Sequence, residues 1–212
     1  VRNTAIDACT GEFLMHVDSD DYVELDTVEK ALKKQQEADD YDIVSFGCYR
    51  EYSRKTVVQI PPFFKDGEDM SLKLIRKKIN VGVWGRLYRT SLYKNNSIKT
   101  KEGVNMAEDY QVTPRLAYFA KKVAVIDKPF YHYNLANENS YVGSVSKEKV
   151  DQAWQSLLII SDFFMDKGVK YLDAVYTAKA HFIIRSLINI GKGDLGEPLF
   201  QKSHNALKTI PI

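Results

Sequence analysis

Residues 13–21, FLMHVDSDD, join an apolar run to a group of three carboxylates. The run FLMHV predicts a strand that is apolar on both faces, which is typical of a buried strand in a parallel sheet. Asp18, Asp20 and Asp21 follow it directly. Ligands of open α/β sheets bind beyond the carboxyl ends of the strands, where these side chains are expected to lie. Two interpretations stay open at this point: a solvated acidic turn before the next helix, or a metal site.

The spacing of the first two carboxylates favours a divalent cation. Asp18 and Asp20 are two residues apart, so in an extended segment both can face the same side of the chain. Two like charges a few ångströms apart repel by about 4 kcal/mol at an effective dielectric constant of about 20, and a cation removes that cost. Carboxylate oxygens suit Mg²⁺ or Mn²⁺, which also accept phosphate oxygens as ligands. The glycine and the final glutamate of an EF-hand calcium loop are missing, which argues against that class of site.

The composition is that of a soluble globular protein. The chain has 212 residues, of which 44% are hydrophobic and 27% are charged, and its formal net charge is +2. This near-balance provides no general attraction to nucleic acid, so no nucleic-acid partner is expected. Cys9 and Cys48 lie in apolar stretches and predict buried free thiols in a reducing compartment. No signal peptide or membrane-spanning run is visible, and we expect a cytoplasmic protein.

The chain divides into two parts by pattern. Residues 1–145 alternate strand-like and helix-like segments, which predicts an α/β domain, whereas residues 146–212 read as a helical subdomain of three amphipathic helices. A parallel strand needs a partner strand beyond a crossover helix. Because only a short helical segment precedes FLMHV, we expect the chain to begin in the middle of an α/β unit.

Proline and glycine set several local predictions. A hairpin turn is expected near residues 51–55, and residues 61–70 are expected to form a loop. Residues 123–134 are expected to form two short strands, with Pro129 between them or at an edge. Pro114 restricts the helix after Ala107 to the later half of its segment.

A second acidic pair lies in AEDYQ. Glu108 and Asp109 follow a polar loop and precede an apolar helix, so they can be helix-terminal carboxylates that favour the dipole. Alternatively, one of them is a general base held near a second acidic site. A carboxylate base works best with a raised pKa, which partial burial beside other carboxylates provides.

Aromatic and basic residues supply further candidates. Trp84, flanked by glycines in GVWGRLYR, is either an aromatic platform or a core residue. Arg86 and Arg89 can face diphosphate oxygens, although solvent or structural pairing is favoured for each alone. His132 in FYHYN is either a structural residue, a further metal ligand or a diphosphate contact.

Taken in order, these segments resemble the family 2 glycosyltransferases. VRNTAIDACTGEFLMHVDSDDYVEL resembles the (A)RNxGIxxAxGxYxxFxDxDDxxxP stretch of that family. NVGVWGRLYR, AEDYQ and KPFYHYN resemble its W-x-K/R-L-Y-R, E-D and Y-x-Y-R segments, over residues 1–145 in all. The resemblance implies a partial glycosyltransferase A-type, Rossmann-like mixed sheet with helices. It also implies a nucleotide-sugar donor, for which a UDP-sugar is the first expectation. It further implies Mg²⁺ or Mn²⁺ as the cofactor and inversion at the anomeric carbon.

The resemblance also implies roles for the acidic residues. Asp20 would coordinate a metal that bridges the donor diphosphate. Asp18 would meet the ribose or sugar, or bind the metal through water. Asp109 would be the base that deprotonates the acceptor hydroxyl, and Glu108 would support it or touch the acceptor.

Five other residues are assigned by the same resemblance. Arg2 and Asn3 would lie beside the nucleotide or stabilise the sheet, and Trp84 would line the sugar or acceptor pocket. Arg86 and His132 are grouped with the donor-binding residues. The last arginine of the Y-x-Y-R segment is replaced by Asn134, and the family's two earlier nucleotide-binding strands have no counterpart before Val1. For that reason, inactivity of this chain on its own is compatible with the resemblance.

The expected acceptor is a saccharide or a lipid-linked molecule, and the expected product is a bacterial surface polysaccharide. Peripheral association with the inner face of the cell membrane and a homodimer are both compatible with this assignment. Two alternatives stay open: a metal-dependent nucleotidyltransferase, and a non-catalytic acceptor-binding or assembly fragment. The second would use apolar side chains exposed on the C-terminal helices, namely Trp154, Leu157, Leu158 and Phe163.

Overall fold

The computed structural model describes residues 1–37, 40–136 and 146–188. The helices of this part of the chain are α1 (Arg2–Ala8), α2 (Thr27–Gln36), α3 (Gly67–Ile75), α4 (Thr90–Lys94), α5 (Glu108–Phe119), α6 (Lys147–Phe164) and α7 (Val169–Ile188). Its strands are β1 (Phe13–Met15), β2 (Tyr22–Val23), β3 (Ile43–Tyr52), β4 (Lys55–Gln59), β5 (Arg86–Arg89) and β6 (Val123–Asn134).

The strands form one mixed sheet in the order β1-β5-β3-β6-β2, and β4 extends β3 as a hairpin. β3 and β6 are parallel, and the other pairs are antiparallel. The predicted α/β class and the hairpin near residues 51–55 are therefore confirmed. The parallel environment expected for β1 is wrong within this sheet, because β1 pairs antiparallel with β5, with Phe13 opposite Arg89.

β6 is one long strand rather than the two short strands predicted around Pro129. The register between β3 and β6 shifts on both sides of Gly47, which lies opposite Pro129. A bulge of this kind accommodates a proline that cannot donate to the ladder. A Cβ atom at Gly47 would lie 2.8 Å from the carbonyl oxygen of Gln59 and 3.2 Å from Cα of Pro129, so glycine is required there.

Two helices begin earlier than predicted. α3 begins at Gly67, inside the expected loop, because the Asp66 side chain accepts a hydrogen bond from the amide of Asp69 at 2.8 Å and caps the first turn. α5 begins at Glu108 and continues through Pro114. The restriction of α5 to its later half is therefore wrong, and its first turn carries both acidic side chains.

The two faces of the sheet are covered by different helices. Alternate residues of β3 separate them: Ile43 belongs to the core beneath α1, α3, α4 and α5, and Val44 to the core beneath α2. A third core joins α6 and α7 to α3 and α5 through Ile75 and Tyr110. The predicted boundary after residue 145 stays a prediction, since the two segments share this core.

The apolar face proposed for an assembly module is mostly covered. Leu157 is 1% exposed, and Trp154 and Phe163 are partly buried against the third core, so their predicted exposure is wrong. Leu158 is 36% exposed. The third predicted C-terminal helix, residues 198–210, lies outside the described residues. Among the helices that the structure describes, none is both long and apolar enough to cross a membrane.

The neighbouring leucines of α6 test this packing. Leu157→Ala should lower the free energy of unfolding by about 2–5 kcal/mol, because it leaves a cavity in the third core. Leu158→Ala, the same change one residue later, should lower it by less than about 1 kcal/mol. Urea unfolding followed by circular dichroism measures both, and equal losses would contradict the burial of Leu157.

Candidate active site

Arg2 brings the two acidic segments of the sequence into one site. Its Nη1 lies 2.5 Å from Oδ1 of Asp109 and 3.4 Å from Oε1 of Glu108. Its Nη2 lies 3.5 Å from Oδ1 of Asp18. Asp18 and Asp109, which are 91 positions apart in the chain, therefore share one guanidinium group. The contact with Asp109 is the shortest, and it forms the principal ion pair of the site.

The carboxylates after β1 lie on a turn, which we name the acidic turn (residues 18–21). The amide of Asp21 donates to the carbonyl oxygen of Asp18 at 3.1 Å, so the extended conformation expected for this segment is wrong. The turn gives its members different environments. The Asp18 side chain is 38% exposed and faces Arg2, whereas Asp20 is an exposed residue.

The acidic turn is tied to β6 by hydrogen bonds that no sequence motif indicated. The Tyr131 hydroxyl accepts a hydrogen bond from the amide of Asp18 at 3.1 Å and donates to Oδ2 of Asp21 at 2.7 Å. Oδ1 of Asp21 accepts from the amide of Asn134 at 2.8 Å. Asn134 stands where the Y-x-Y-R segment has arginine. The contact that it makes here comes from its backbone amide and does not depend on its side chain. The sequence predicted strands within residues 123–134 but did not indicate their contact with the acidic turn.

Asp109 is held from two sides and is largely removed from water. Its Oδ2 accepts a hydrogen bond from the amide of Val83 at 3.0 Å, and its Oδ1 faces Arg2. The side chain is 17% exposed. Burial raises the pKa of Asp109, the positive charge of Arg2 opposes that rise, and Glu108 adds to it. The outcome is a raised pKa, as expected for a carboxylate base.

The pKa values of the other two charged partners follow the same balance. Burial raises the pKa of Asp18, the negative charge of Asp109 adds to the rise, and Arg2 opposes it. Burial alone would lower the pKa of Arg2, but Asp109, Glu108 and Asp18 together raise it. The charge of Asp109 therefore acts on the pKa of Asp18, and the charge of Arg2 acts on the pKa of both carboxylates.

Both carboxylates of the E-D pair occupy the first turn of α5, as the helix-terminal interpretation expected. The N-cap residue is Ala107, and α5 has no side-chain cap. Ala107 has φ 58° and ψ 33°, in the left-handed region that residues with a Cβ atom rarely adopt. Strain of this kind is retained where the surrounding structure requires it, and here it precedes Glu108 and Asp109 directly.

Trp84 is part of an aromatic layer beside the site. Its ring stacks on Tyr131 with centroids 4.8 Å apart and an interplanar angle of 17°, and it also lies 4.9 Å from the ring of Tyr133. A Cβ atom on Gly82 would lie 2.7 Å from Nε1 of Trp84, so glycine at position 82 leaves room for the Trp84 ring. Trp84 is half-buried, and its role in a sugar or acceptor pocket stays a prediction.

Arg86 and Asn3 make contacts within the protein. Arg86 is 4% exposed, and its guanidinium donates to the carbonyl oxygens of Gly82 and, at 2.7 Å, Asn80. These contacts favour structural pairing. Asn3 donates to the carbonyl oxygen of Thr100 at 2.9 Å and accepts from its amide at 3.0 Å. Donor binding by either residue stays a prediction.

His132 lies in a separate aromatic and acidic cluster. Its ring is stacked between Tyr22, with centroids 4.1 Å apart, and Tyr49, at 4.5 Å. Its Nδ1 lies 2.7 Å from Oε1 of Glu51, and its Nε2 lies 3.1 Å from Oε1 of Glu24. Both ring nitrogens thus have protein partners, which favours the structural interpretation. A metal or diphosphate contact stays a prediction.

A divalent ion fits the chemistry of the acidic turn. Within the described residues, no three side chains of the His, Cys, Asp or Glu type come together in a way that could hold a metal. Mg²⁺ is commonly bound by one or two carboxylates together with substrate phosphates rather than by a complete protein cage. Asp18 and Asp20 supply such carboxylates, so they suit an ion that binds together with a diphosphate.

A cavity of about 200 Å³ lies beyond Trp84, between β3, residues 59–62 and residues 78–86. Trp84 and Arg86 line it, but Asp18 and Asp109 do not. This cavity therefore does not mark the position at which the acidic residues would act.

Sequence comparisons give a consistent family. The model of glycosyl transferase family 2 matches residues 1–100. The chain is 30% identical over 140 residues to the "putative glycosyltransferase EpsH" of Bacillus subtilis (strain 168), across 64% of this chain and 41% of that protein. It is 28% identical over 143 residues to the poly(ribitol-phosphate) beta-N-acetylglucosaminyltransferase TarS of Staphylococcus aureus (strain Mu50 / ATCC 700699), across 68% of this chain and 24% of TarS. The chain thus spans less than half the length of either relative.

Solved structures show the same fold. A crystal structure of S. aureus TarS superposes with a TM-score of 0.70 at 21% identity and covers 99% of this chain and 36% of that one. A crystal structure of S. aureus TarS 1-349 in complex with UDP gives a TM-score of 0.63 at 24% identity, over 88% of this chain and 50% of that one. The predicted fold is therefore confirmed: the family model over residues 1–100, the glycosyltransferase relatives and the TarS structures support a family 2 glycosyltransferase fold for this chain.

Proposed function

We propose that this protein transfers a sugar from a nucleoside-diphosphate donor to a hydroxyl group of a saccharide or lipid-linked acceptor. The observation that carries the proposal is the shared site of Arg2, Asp18 and Asp109. It places a carboxylate of the acidic turn beside a partly buried carboxylate with a raised pKa. A UDP-sugar is the first donor to test, because TarS has been crystallised with UDP and with UDP-GlcNAc.

The donor diphosphate would bind at the acidic turn. Asp20 and Asp18 would hold Mg²⁺ or Mn²⁺ there, and such an ion offsets negative charge on a leaving diphosphate. Arg2, which already lies 3.5 Å from Asp18, adds a positive charge on the same side. Two positive groups beside the acidic turn favour an anionic donor over a neutral sugar.

Asp109 would act as the base toward the acceptor. Its raised pKa lies closer to that of the attacking acceptor hydroxyl group, which favours proton transfer. The amide of Val83 fixes one carboxylate oxygen, so the other is the one oriented toward Arg2 and the site. The acceptor oxygen would attack the anomeric carbon opposite the leaving diphosphate, which gives inversion without an enzyme-bound sugar. Glu108, also near Arg2, would contact the acceptor or support Asp109.

The identity of the released product separates this proposal from a nucleotidyltransferase. Glycosyl transfer releases a nucleoside diphosphate, whereas nucleotidyl transfer releases pyrophosphate. The protein, incubated with Mn²⁺, a panel of UDP-sugars and candidate saccharides, should release UDP. In a parallel incubation with UTP and a sugar 1-phosphate, pyrophosphate release, together with no UDP release from the UDP-sugars, would overturn the proposal in favour of the nucleotidyltransferase.

The first variant to test is Asp109→Asn. Because an amide cannot accept the hydroxyl proton, kcat should fall by about a hundredfold or more. The Kd for UDP with Mn²⁺, measured by calorimetry, should change little. Asp127→Asn, an exposed aspartate on β6, is the matched control and should leave both values unchanged. Equal losses of turnover and of donor binding would assign Asp109 a structural role instead.

The pH dependence of the reaction tests the link between Arg2 and Asp109. The base is active when deprotonated, so kcat/KM should fall as the pH drops through the pKa of Asp109, which is raised. Arg2 opposes that rise, so Arg2→Gln should raise the pKa further and move the acid limb of the profile to higher pH. Arg76→Gln, which breaks the exposed pair with Asp173, should leave the limb in place. An acid limb that stays fixed or moves down in Arg2→Gln would contradict this coupling.

Metal dependence tests the acidic turn. Asp20→Asn should weaken Mn²⁺-dependent UDP binding about tenfold or more, because it removes one of two carboxylates expected to hold the ion. UDP binding without Mn²⁺ should be similar in the variant and in the parent protein. Calorimetry with and without Mn²⁺ measures this difference, with Asp127→Asn as control. A variant that retains the full Mn²⁺ effect would exclude Asp20 as a ligand.

A further inference from the structure

We infer that Tyr131 is a positioning residue that sets the donor side and the base side of the site relative to each other. Its hydroxyl holds the acidic turn, and its ring supports the segment of residues 80–86 that holds Asp109. The inference rests on the proposed function, because it assigns Tyr131 a role in donor binding and turnover. It adds a residue that contacts neither reactant and acts through the groups that do.

The hydroxyl group fixes both ends of the acidic turn. It accepts a hydrogen bond from the amide of Asp18 at 3.1 Å and donates one to Oδ2 of Asp21 at 2.7 Å. Tyr131 is 0% exposed, so its hydroxyl has no contact with water, and these two hydrogen bonds offset the cost of its burial.

A second hydrogen bond holds the turn to the same strand. Oδ1 of Asp21 accepts from the amide of Asn134 at 2.8 Å, so both oxygens of this carboxylate are bound to β6. The short strand β2 follows immediately, with Val23 opposite Tyr131. The position of the Asp18 carboxylate relative to β6 therefore depends on Tyr131 and Asp21 together.

The ring of Tyr131 acts on the other side of the site. Trp84 stacks on it with centroids 4.8 Å apart and planes 17° apart. The neighbouring residue, Val83, donates its amide proton to Oδ2 of Asp109 at 3.0 Å. A shift of Trp84 would move this amide and with it the carboxylate of Asp109, whose other oxygen, Oδ1, faces Arg2. One buried side chain thus contacts elements that lead to Asp18 and to Asp109.

Space filling alone does not require a tyrosine at this position. The neighbouring Phe130 is 4% exposed and fills the same core with a phenylalanine ring. A phenylalanine at 131 would keep the stack with Trp84 and would lose only the two hydrogen bonds to the acidic turn. The two halves of the inference can therefore be separated by substitution.

Tyr131→Phe tests the hydroxyl. The Kd for UDP with Mn²⁺ and the KM for the donor should rise about tenfold, because hydrogen bonds to charged groups contribute about this factor to an equilibrium. The kcat at saturating donor should change less than about twofold, since the ring still supports Trp84. Tyr133→Phe is the matched control: Tyr133 contacts the same Trp84 ring, and no described hydrogen bond joins its hydroxyl to Asp18 or Asp21. Unchanged donor affinity in Tyr131→Phe would overturn this half.

Tyr131→Leu tests the ring. It should show the same rise in the donor KM together with a fall in kcat of about tenfold or more, since a small misplacement of a catalytic group is costly. A kcat equal to that of Tyr131→Phe would overturn the part of the inference that concerns Asp109. Thermal unfolding of both variants shows whether they remain folded, and Tyr131→Phe keeps the ring that fills the core.

Amide hydrogen exchange separates this inference from the proposed function. Peptides that cover residues 16–24 should exchange faster in Tyr131→Phe than in the parent protein or in Tyr133→Phe, with no nucleotide present. If the parent protein binds no UDP but this difference appears, the proposed function fails and the positioning of the acidic turn stands. If UDP binds and exchange in residues 16–24 is the same in all three proteins, the inference about Tyr131 fails alone.

Discussion

The ion pair between Arg2 and Asp109 is the interaction on which the candidate site depends. A carboxylate as little exposed as that of Asp109 is costly to ionise, and Glu108 and Asp18 add like charge nearby. One guanidinium group offsets part of this cost for all three. Because burial still outweighs Arg2, the pKa of Asp109 remains raised. The same contact lets a strongly acidic group of residues fold together, whereas burial keeps Asp109 basic enough to accept a proton.

Charge compensation brings these groups together, but hydrogen bonds give them direction. A Coulomb interaction changes little when a side chain rotates, whereas a hydrogen bond weakens steeply with angle. The amide of Val83 orients Asp109, and the Tyr131 hydroxyl orients the backbone of Asp18. Both are backed by one aromatic stack, Trp84 on Tyr131. The site thus combines a non-directional attraction from Arg2 with directional contacts from the sheet and its neighbouring loop.

Local features of the sequence predicted more than the pairing of distant segments did. The change from an apolar run to carboxylates after Val17 identified the acidic turn, because that signal lies within a few residues. The apolar run predicted burial of β1 on both faces, but Phe13–Met15 are only partly buried at the edge of the sheet, and the run did not contain the direction of β1 relative to β5. The bonds of Tyr131 to Asp18 and Asp21 span 113 and 110 positions, and only the pairing of β2 with β6 creates them. The continuity of β6 through Pro129 likewise depends on a bulge opposite Gly47 in another strand.

Asp18 and Asp21 show why residue type and spacing do not assign roles within a cluster. Both belong to one turn, and burial raises the pKa of each. The amide of Asn134 and the hydroxyl of Tyr131 oppose that rise at Asp21, because both donate to its carboxylate and stabilise the charged form. At Asp18 the opposing group is Arg2, and Asp109 works in the other direction. Both oxygens of Asp21 therefore bind β6 and stabilise the fold, whereas Asp18 takes part in the electrostatics of the site. The role of each carboxylate follows from its hydrogen-bond and charge partners and not from its position in the motif.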